Sequence, residues 1–412
     1  MLKVSLGLFF LSIGAAAGHS AAAQKPASQA STTVAPERDR IIPLRADSWE
    51  FKPGSVEFLA AAPSIGGITP AGPAMRIVNR SGGAVVARNV DFAEGAIEFD
   101  VLPTDSNFAS FFFHRQDAQE GECFYLRTDW GAGHPDRMEG VQYNPIIKGV
   151  FCWNLLPYYQ GNANFRQDSW NHIRILIAGR QALIFVNSDT RPTLTIPRLE
   201  GNTTHGGFAF DGQMTIAHLV VRPGPVAGVG GLSWLGGPEG FDPTDNDPRY
   251  LRHWQVTQPD TIPSGIDFGK NLMPGKQTAW SPIAAERRGL VNLTRVFGGN
   301  PARFKGEPVR RIVWLKTTLT ADREWTYRMR LGFTNDVWVF LNGRYLYVDK
   351  NYYDEPIMKT PRARVSIENC SFDLPLKAGA NELLIGVGND FFGWGIVARL
   401  DDALGVKLGG AE

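Results

Sequence analysis

Cysteine is scarce, with 3 in 412 residues, which excludes a scaffold stapled by several disulfides and leaves hydrophobic cores to hold the chain together. Charge of one sign is also lacking. Lys and Arg number 42 against 41 Asp and Glu, so no excess of positive charge steers the chain to a polyanion, and no nucleic-acid partner is expected. Long apolar runs are missing outside the first residues, so no membrane span is expected. Convincing amphipathic helices longer than about two turns are absent as well. Neither Gly-x-Ser-x-Gly nor His-Glu-x-x-His occurs. Gly275-Lys276 lacks the glycine loop and the following Ser or Thr of a phosphate cradle, and the histidines show no metal-ligand spacing.

What is present is 45 Gly, 27 Pro and 11% aromatic residues in a chain that is 43% hydrophobic. That mixture implies many turns and short strands rather than disorder. Lys3 precedes an uncharged run from Val4 to Ala17, and Ala21-Ala22-Ala23 offers small residues before Gln24. Charged start, short apolar core and small-residue exit predict a signal peptide over residues 1–23, and hence a secreted or periplasmic protein. Residues 24–43, rich in Ala, Ser, Thr and Pro, read as a flexible leader.

From residue 44 to 222 alternating or β-branched runs recur between turn residues. They include Gly95-Ala-Ile-Glu-Phe-Asp-Val101, Ser110-Phe-Phe-Phe-His114, Cys123-Phe-Tyr-Leu-Arg127, His172-Ile-Arg-Ile-Leu-Ile177 and Ala182-Leu-Ile-Phe-Val186. Side chains two apart share a face, so one face of each strand lines a core while the other points away. Residues 223–248 hold a Gly/Pro-rich linker, in which ten of the eighteen residues from Pro223 to Gly240 are Gly or Pro. A second β-rich stretch covers 249–402, with 403–412 left as a tail. Its clearest strand, Asp336-Val-Trp-Val-Phe-Leu341, runs into Asn342-Gly343, the pair a tight type I′ hairpin turn demands. The expected fold class is all-β: two tandem β-sandwich (jelly-roll) domains.

The ordered series Gly95–Val101, Phe124-Tyr-Leu-Arg127, Asp136, Gln142-Tyr143-Asn-Pro145, Gly149, Trp153, Trp170-Asn-His-Ile-Arg174, Ala182–Val186 and Gly206-Gly-Phe208 resembles the laminin-G-like branch of the concanavalin A-like lectin/glucanase superfamily. The resemblance implies a bent two-sheet jelly roll whose concave sheet holds sugar or peptide. Arg252-His-Trp-Gln-Val256, Asp336–Gly343, Lys377–Leu383 and Gly393-Trp-Gly395 resemble the galactose-binding-like jelly roll that accompanies many glycoside hydrolases. Calcium occurs in both resembled families, yet no acidic run locates a site, and no cofactor is assigned.

The densest polar and aromatic cluster lies between Arg127 and Tyr159. By alternation Cys123, Tyr125, Arg127 and Asp129 share a face, and Trp130, Tyr143, Trp153, Tyr158 and Tyr159 supply aromatic planes. Sugars require that pairing of aromatic face and planar polar group. Arg127, Asp129, Asp136, Gln142, Tyr143 and Trp153 are therefore the expected ligand-binding residues of an exported carbohydrate-binding protein. A core filled by the same aromatics is the competing explanation. Glu98 and Asp100 face the same way, but the third alternate acid of the superfamily's glucanases is replaced by Leu102, which favours a structural role. Two alternatives stay open: a glycoside hydrolase or polysaccharide lyase, with no catalytic residues assigned, and an envelope interaction or scaffold protein. Cys123 and Cys152 fall on conflicting faces if both strands are regular. A Cys123–Cys152 bridge and a shared Arg127/Trp153 site then exclude one another without a bulge.

Overall fold

The expected strands pair into four antiparallel sheets. In the computed structural model residues 39–78, 83–104, 108–127, 139–166, 168–188, 190–226, 241–264 and 273–409 are described, apart from the Phe304 side chain. The predicted signal peptide and most of the leader and linker lie outside them.

Sheet I runs in the order Leu194–Ile196, Gln181–Val186, Asn171–Ala178, Gly95–Pro103, Met214–Pro223, Ala74–Ile77, Val56–Leu59. Sheet II runs Val150–Phe151, Val141–Ile147, Gly121–Leu126, Ala109–Arg115, Gly207–Asp211, Val85–Ala87, Trp49–Glu50. The strand Asn171–Ala178 shows the physical basis of the pairing: its burial alternates at every residue, with Ile173, Ile175 and Ile177 fully enclosed. They face Phe111, Phe124 and Phe208 of sheet II in one core. Each such side chain withdrawn from water contributes roughly 1.5–3 kcal/mol. Ring pairs such as Phe99–Phe111 and Phe111–Phe210, both with centroids 5.0 Å apart, add geometric specificity.

The second half forms sheet III, ordered Ser281–Ala284, His253–Val256, Val309–Ala321, Gly379–Asn389, Asn335–Leu341, Arg344–Asn351, and sheet IV, ordered Leu290–Asn292, Gly395–Leu400, Trp325–Phe333, Cys370–Leu376. Val313, Leu315, Val337 and Ile385 of sheet III meet Met329, Leu331 and Ile396 of sheet IV. The Asn342-Gly343 turn takes positive φ at both residues, 52° and 72°, as a type I′ hairpin requires. The chain is all-β, two sandwiches in tandem, with α-helix among the described residues confined to Leu293–Phe297 and Pro301–Phe304.

Two boundaries are corrected. Arg40–Ile41, placed in the flexible leader, pairs with Val220–Val221, and Ile42 is buried. Val406–Leu408, placed in the tail, pairs with Leu319–Ala321. Both are strands of two or three residues, too short for alternation to register, and they form because an interior strand leaves one edge unpaired. Residues Glu37–Glu412 form one compact unit, so the sandwiches pack on each other. No helix of the described residues is long and apolar enough to cross a membrane.

Candidate functional site

The expected ligand-binding residues divide between two faces. Arg127 follows the strand Gly121–Leu126, and its guanidinium lies 5.0 Å from the Phe108 ring and 5.5 Å from that of Tyr125. Tyr125 donates to Gln142 Oε1 at 2.7 Å, and Gln142 Nε2 donates to the Trp153 carbonyl at 3.0 Å. Arg127, Gln142 and Trp153 are thus gathered on the outward side of sheet II. Tyr143 is not: one residue along from Gln142, it points into the core, where its hydroxyl donates to Glu122 Oε2 at 2.8 Å. Asp129 and Asp136 lie outside the described residues.

An open face was expected here, and the second sandwich closes it. Arg364 donates to Gln142 Oε1 at 2.9 Å and stacks 4.9 Å from the Trp153 ring, with Glu139 Oε1 3.7 Å away. Tyr353 and Phe392 pack edge-on against Trp153 at 5.3 and 5.7 Å. Asn154 exchanges two hydrogen bonds with the Gly393 backbone, each 2.9 Å. Arg127 is left 4% exposed, Gln142 0% and Trp153 7%. The aromatic and planar polar groups suited to a sugar are here the adhesive between two domains. Cys123 belongs to the outward cluster with Phe112 and Ile146, whereas Cys152 is inside the core. All three cysteines are free.

Glu98 and Asp100 point outward from sheet I and are held by basic side chains. Arg222 Nη1 lies 2.7 Å from Glu98 Oε1, His172 Nδ1 2.9 Å and His218 Nδ1 3.8 Å from the two Asp100 oxygens. Leu102, the next alternate position, is buried under a separate apolar cluster with Trp170.

A polar cleft of about 740 Å³ opens within the Glu37–Glu412 unit, lined by residues of both sandwiches. From the first come Arg180, on the turn between Asn171–Ala178 and Gln181–Val186, and Arg198, Glu200 and Asn202, which follow Leu194–Ile196. From the second come Arg252 and His253 at the start of sheet III, and Glu286, Arg287 and Arg295 around the strand Leu290–Asn292. Asp242 and Asp245 lie on the stretch that leads into sheet III.

Most of the cleft's arginines and their carboxylate partners are preorganised. Arg252 donates to Asp242 Oδ2 at 3.2 Å and to Thr244 Oγ1 at 2.8 Å. Burial alone would raise the Asp242 pKa. Hydrogen bonds from Thr244 and from the Arg288 backbone, with the charge of Arg252, hold it below the usual value. Arg287 donates to Glu200 Oε1 and to the Tyr159 hydroxyl, both at 3.0 Å. Arg295 donates to Glu286 Oε1 at 2.5 Å, to the Glu200 carbonyl at 2.8 Å, and to Asn202 Oδ1.

Behind the cleft floor sits a carboxyl that sequence reasoning did not single out. Glu122 is fully buried, its Oε1 accepting from Gly201 N at 3.2 Å and its Oε2 from Tyr143. Tyr143 in turn accepts from Glu200 N at 2.6 Å. Burial pushes the Glu122 pKa up to about 8, so the group is protonated at neutral pH. The signal was available: Glu122 shares parity with the core residues Phe124 and Leu126. Among the described residues no group of three or more His, Cys, Asp or Glu could hold a metal ion.

No protein-family model and no curated protein matches the chain. Solved structures do match parts of it. The carbohydrate-binding module CBM66 from Bacillus subtilis is 12% identical, over 42% of this chain and 91% of that one, with a TM-score of 0.28. A putative glycosyl hydrolase from Parabacteroides distasonis is 11% identical over 45% and 99%, with a TM-score of 0.31. A Bacillus licheniformis beta-glucanase is 10% identical over 47% and 100%, with a TM-score of 0.30. At these scores the likenesses carry no argument, and the sandwich architecture rests on the pairing of the chain's own strands.

Proposed function

We propose that the chain is an exported carbohydrate-binding protein whose ligand lies in the cleft between the two sandwiches. The observation that carries this is the lining itself: about 740 Å³ of open volume bounded by guanidinium, carboxylate and amide groups fixed by their neighbours, with the His253 imidazole beside them. Ligand sites commonly enclose about 300–1,000 Å³ and rely on a few fixed polar groups for orientation. A sugar hydroxyl both donates and accepts, so a wall alternating Arg252 and Asp242, or Arg295 and Glu286, satisfies it in either sense. The groups that orient a ligand in this reading are Arg252, Asp242 and Asn202, in place of the buried Arg127, Gln142 and Trp153.

A glycan array probed with the full chain, followed by calorimetry on the best ligand, tests the reading. Arg252→Ala removes a charge-assisted hydrogen bond and weakens binding by about 10- to 100-fold. His218→Ala, on the outward face of sheet I, leaves it unchanged. The reverse pattern would move the site to sheet I, and a blank array would overturn carbohydrate binding. Export is tested by sequencing the N-terminus of protein recovered outside the cytoplasm, which should begin near Gln24.

A polysaccharide-cleaving enzyme is the second reading, favoured by Glu122, a protonated carboxyl linked through Tyr143 to the Glu200 backbone. New oligosaccharides from a polymer panel that vanish with Glu200→Gln would establish it.

A further inference from the structure

The cleft's arginines are not all neutralised, and the pattern of their partners is specific. Arg252, Arg287 and Arg295 each have a carboxylate within ion-pair distance: Asp242, Glu200 and Glu286. Arg180 has none among the described residues. Its Nε donates to the Leu199 carbonyl at 3.2 Å and its Nη2 to the Gly201 carbonyl. Carbonyl oxygens orient a guanidinium without cancelling its charge. Glu122, the carboxyl behind Gly201, is protonated near neutral pH and does not cancel it either. Arg198 reaches Glu200 Oε2 at 3.5 Å, but that carboxylate also serves Arg287 and Tyr159 through its other oxygen. Asp245 also lines the cleft, but it is exposed and makes no ion pair with either arginine.

Arg180 and Arg198 converge on the same stretch of chain. Leu199 N donates to the Arg180 carbonyl at 2.6 Å, and the two side chains reach the adjacent residues Gly201 and Glu200. Two guanidinium groups held at one wall of a cleft, with less than one carboxylate between them, are a receptor for a planar anion. We infer that the cleft selects glycans built from uronic acids, with the sugar carboxylate received by Arg180 and Arg198 while the neighbouring hydroxyls meet the paired groups of the opposing sandwich. This rests on the cleft being the carbohydrate site.

The test is calorimetry on the full chain with oligomers of galacturonate, glucuronate and mannuronate, each beside the same oligomer with its carboxylates reduced to primary alcohols. At least one uronate should bind about 10-fold or more tightly than its reduced form. That margin should shrink as salt rises from about 0.05 to 0.5 M, because the added attraction is ionic. Arg198→Gln should erase most of the margin by weakening the uronate far more than its reduced form, and Arg198→Lys should restore part of it. Arg198 is chosen because Arg180 also ties down two backbone carbonyls, and its removal disturbs the wall itself. Equal or better binding of the reduced oligomers, or preference for a sulfated neutral glycan, overturns the inference and leaves carbohydrate binding in place. Failure of every glycan to bind overturns both.

Discussion

Replacing Glu122 by Gln removes a carboxyl of the first core that burial drives to a pKa of about 8, and the consequence is a change in how stability follows pH. The folded pKa lies above the unfolded value of 4.5, so the folded state holds a proton that the unfolded state has lost anywhere between those two values. Stability then falls as pH rises, by about 1.4 kcal/mol per pH unit across that window, and is flat below about 4.5 and above about 8. The whole span amounts to roughly 5 kcal/mol, with no discount for solvent because Glu122 is 0% exposed. Gln keeps the shape and carries no titrating proton. Its amide cannot accept from both Tyr143 and Gly201, which costs about 1 kcal/mol at every pH. Urea unfolding followed by tryptophan fluorescence, at intervals from about pH 5 to pH 8, compares the two proteins. The wild type should lose about 3–4 kcal/mol relative to Glu122→Gln over that range. Parallel stability curves for the two proteins would show that Glu122 is ionised in the folded state and would refute the reasoning.

Arg364→Ala removes the cation that joins Gln142 and Trp153 across the sandwiches, and should cost about 2–4 kcal/mol, with protease cleavage between the sandwiches appearing well before global unfolding. Unaltered proteolysis would show that the seam holds without it. Asp336→Asn should destabilise the second sandwich by about 3–5 kcal/mol, because Asp336 accepts from Arg310 at 2.6 Å and Tyr352 at 2.5 Å in a site where all but Tyr352 are almost fully enclosed. Denaturant midpoints measure it, and a change under about 1 kcal/mol would contradict the pair's role. Burial raises the pKa of all three thiols, yet Cys370 is half-buried while Cys123 and Cys152 are enclosed. Thiol labelling of the native chain should therefore reach Cys370 first, and a disulfide recovered from unreduced protein would contradict the structure.

Alternation made the strands legible because a period of two is written directly into which residues are apolar. His172–Ile177 extends by one residue at each end in the structure, and Asp336–Leu341 by one. The same period placed Gln142 and Tyr143 on opposite faces, a distinction that choosing both for their sugar-binding chemistry overrode. What covers an outward face is a different matter. Gln142 read as a ligand-binding residue because nothing local announces Arg364, 222 residues further on. The cleft was hidden for the same reason: Arg180, Glu200, Arg252 and Arg295 come from turns and strand ends far apart in sequence, and only the packing of one sandwich on the other assembles them. Glu98 and Asp100 share an outward face, as the alternation along their own strand placed them.

A crystal structure of the full chain with its best array ligand tests the central claim most directly. The account predicts sugar density between the sandwiches, in contact with Arg252 and Asp242 on one side and Arg198 on the other. Density on the outward face of sheet I, over Asp100 and His172, with the cleft holding only solvent, would contradict it.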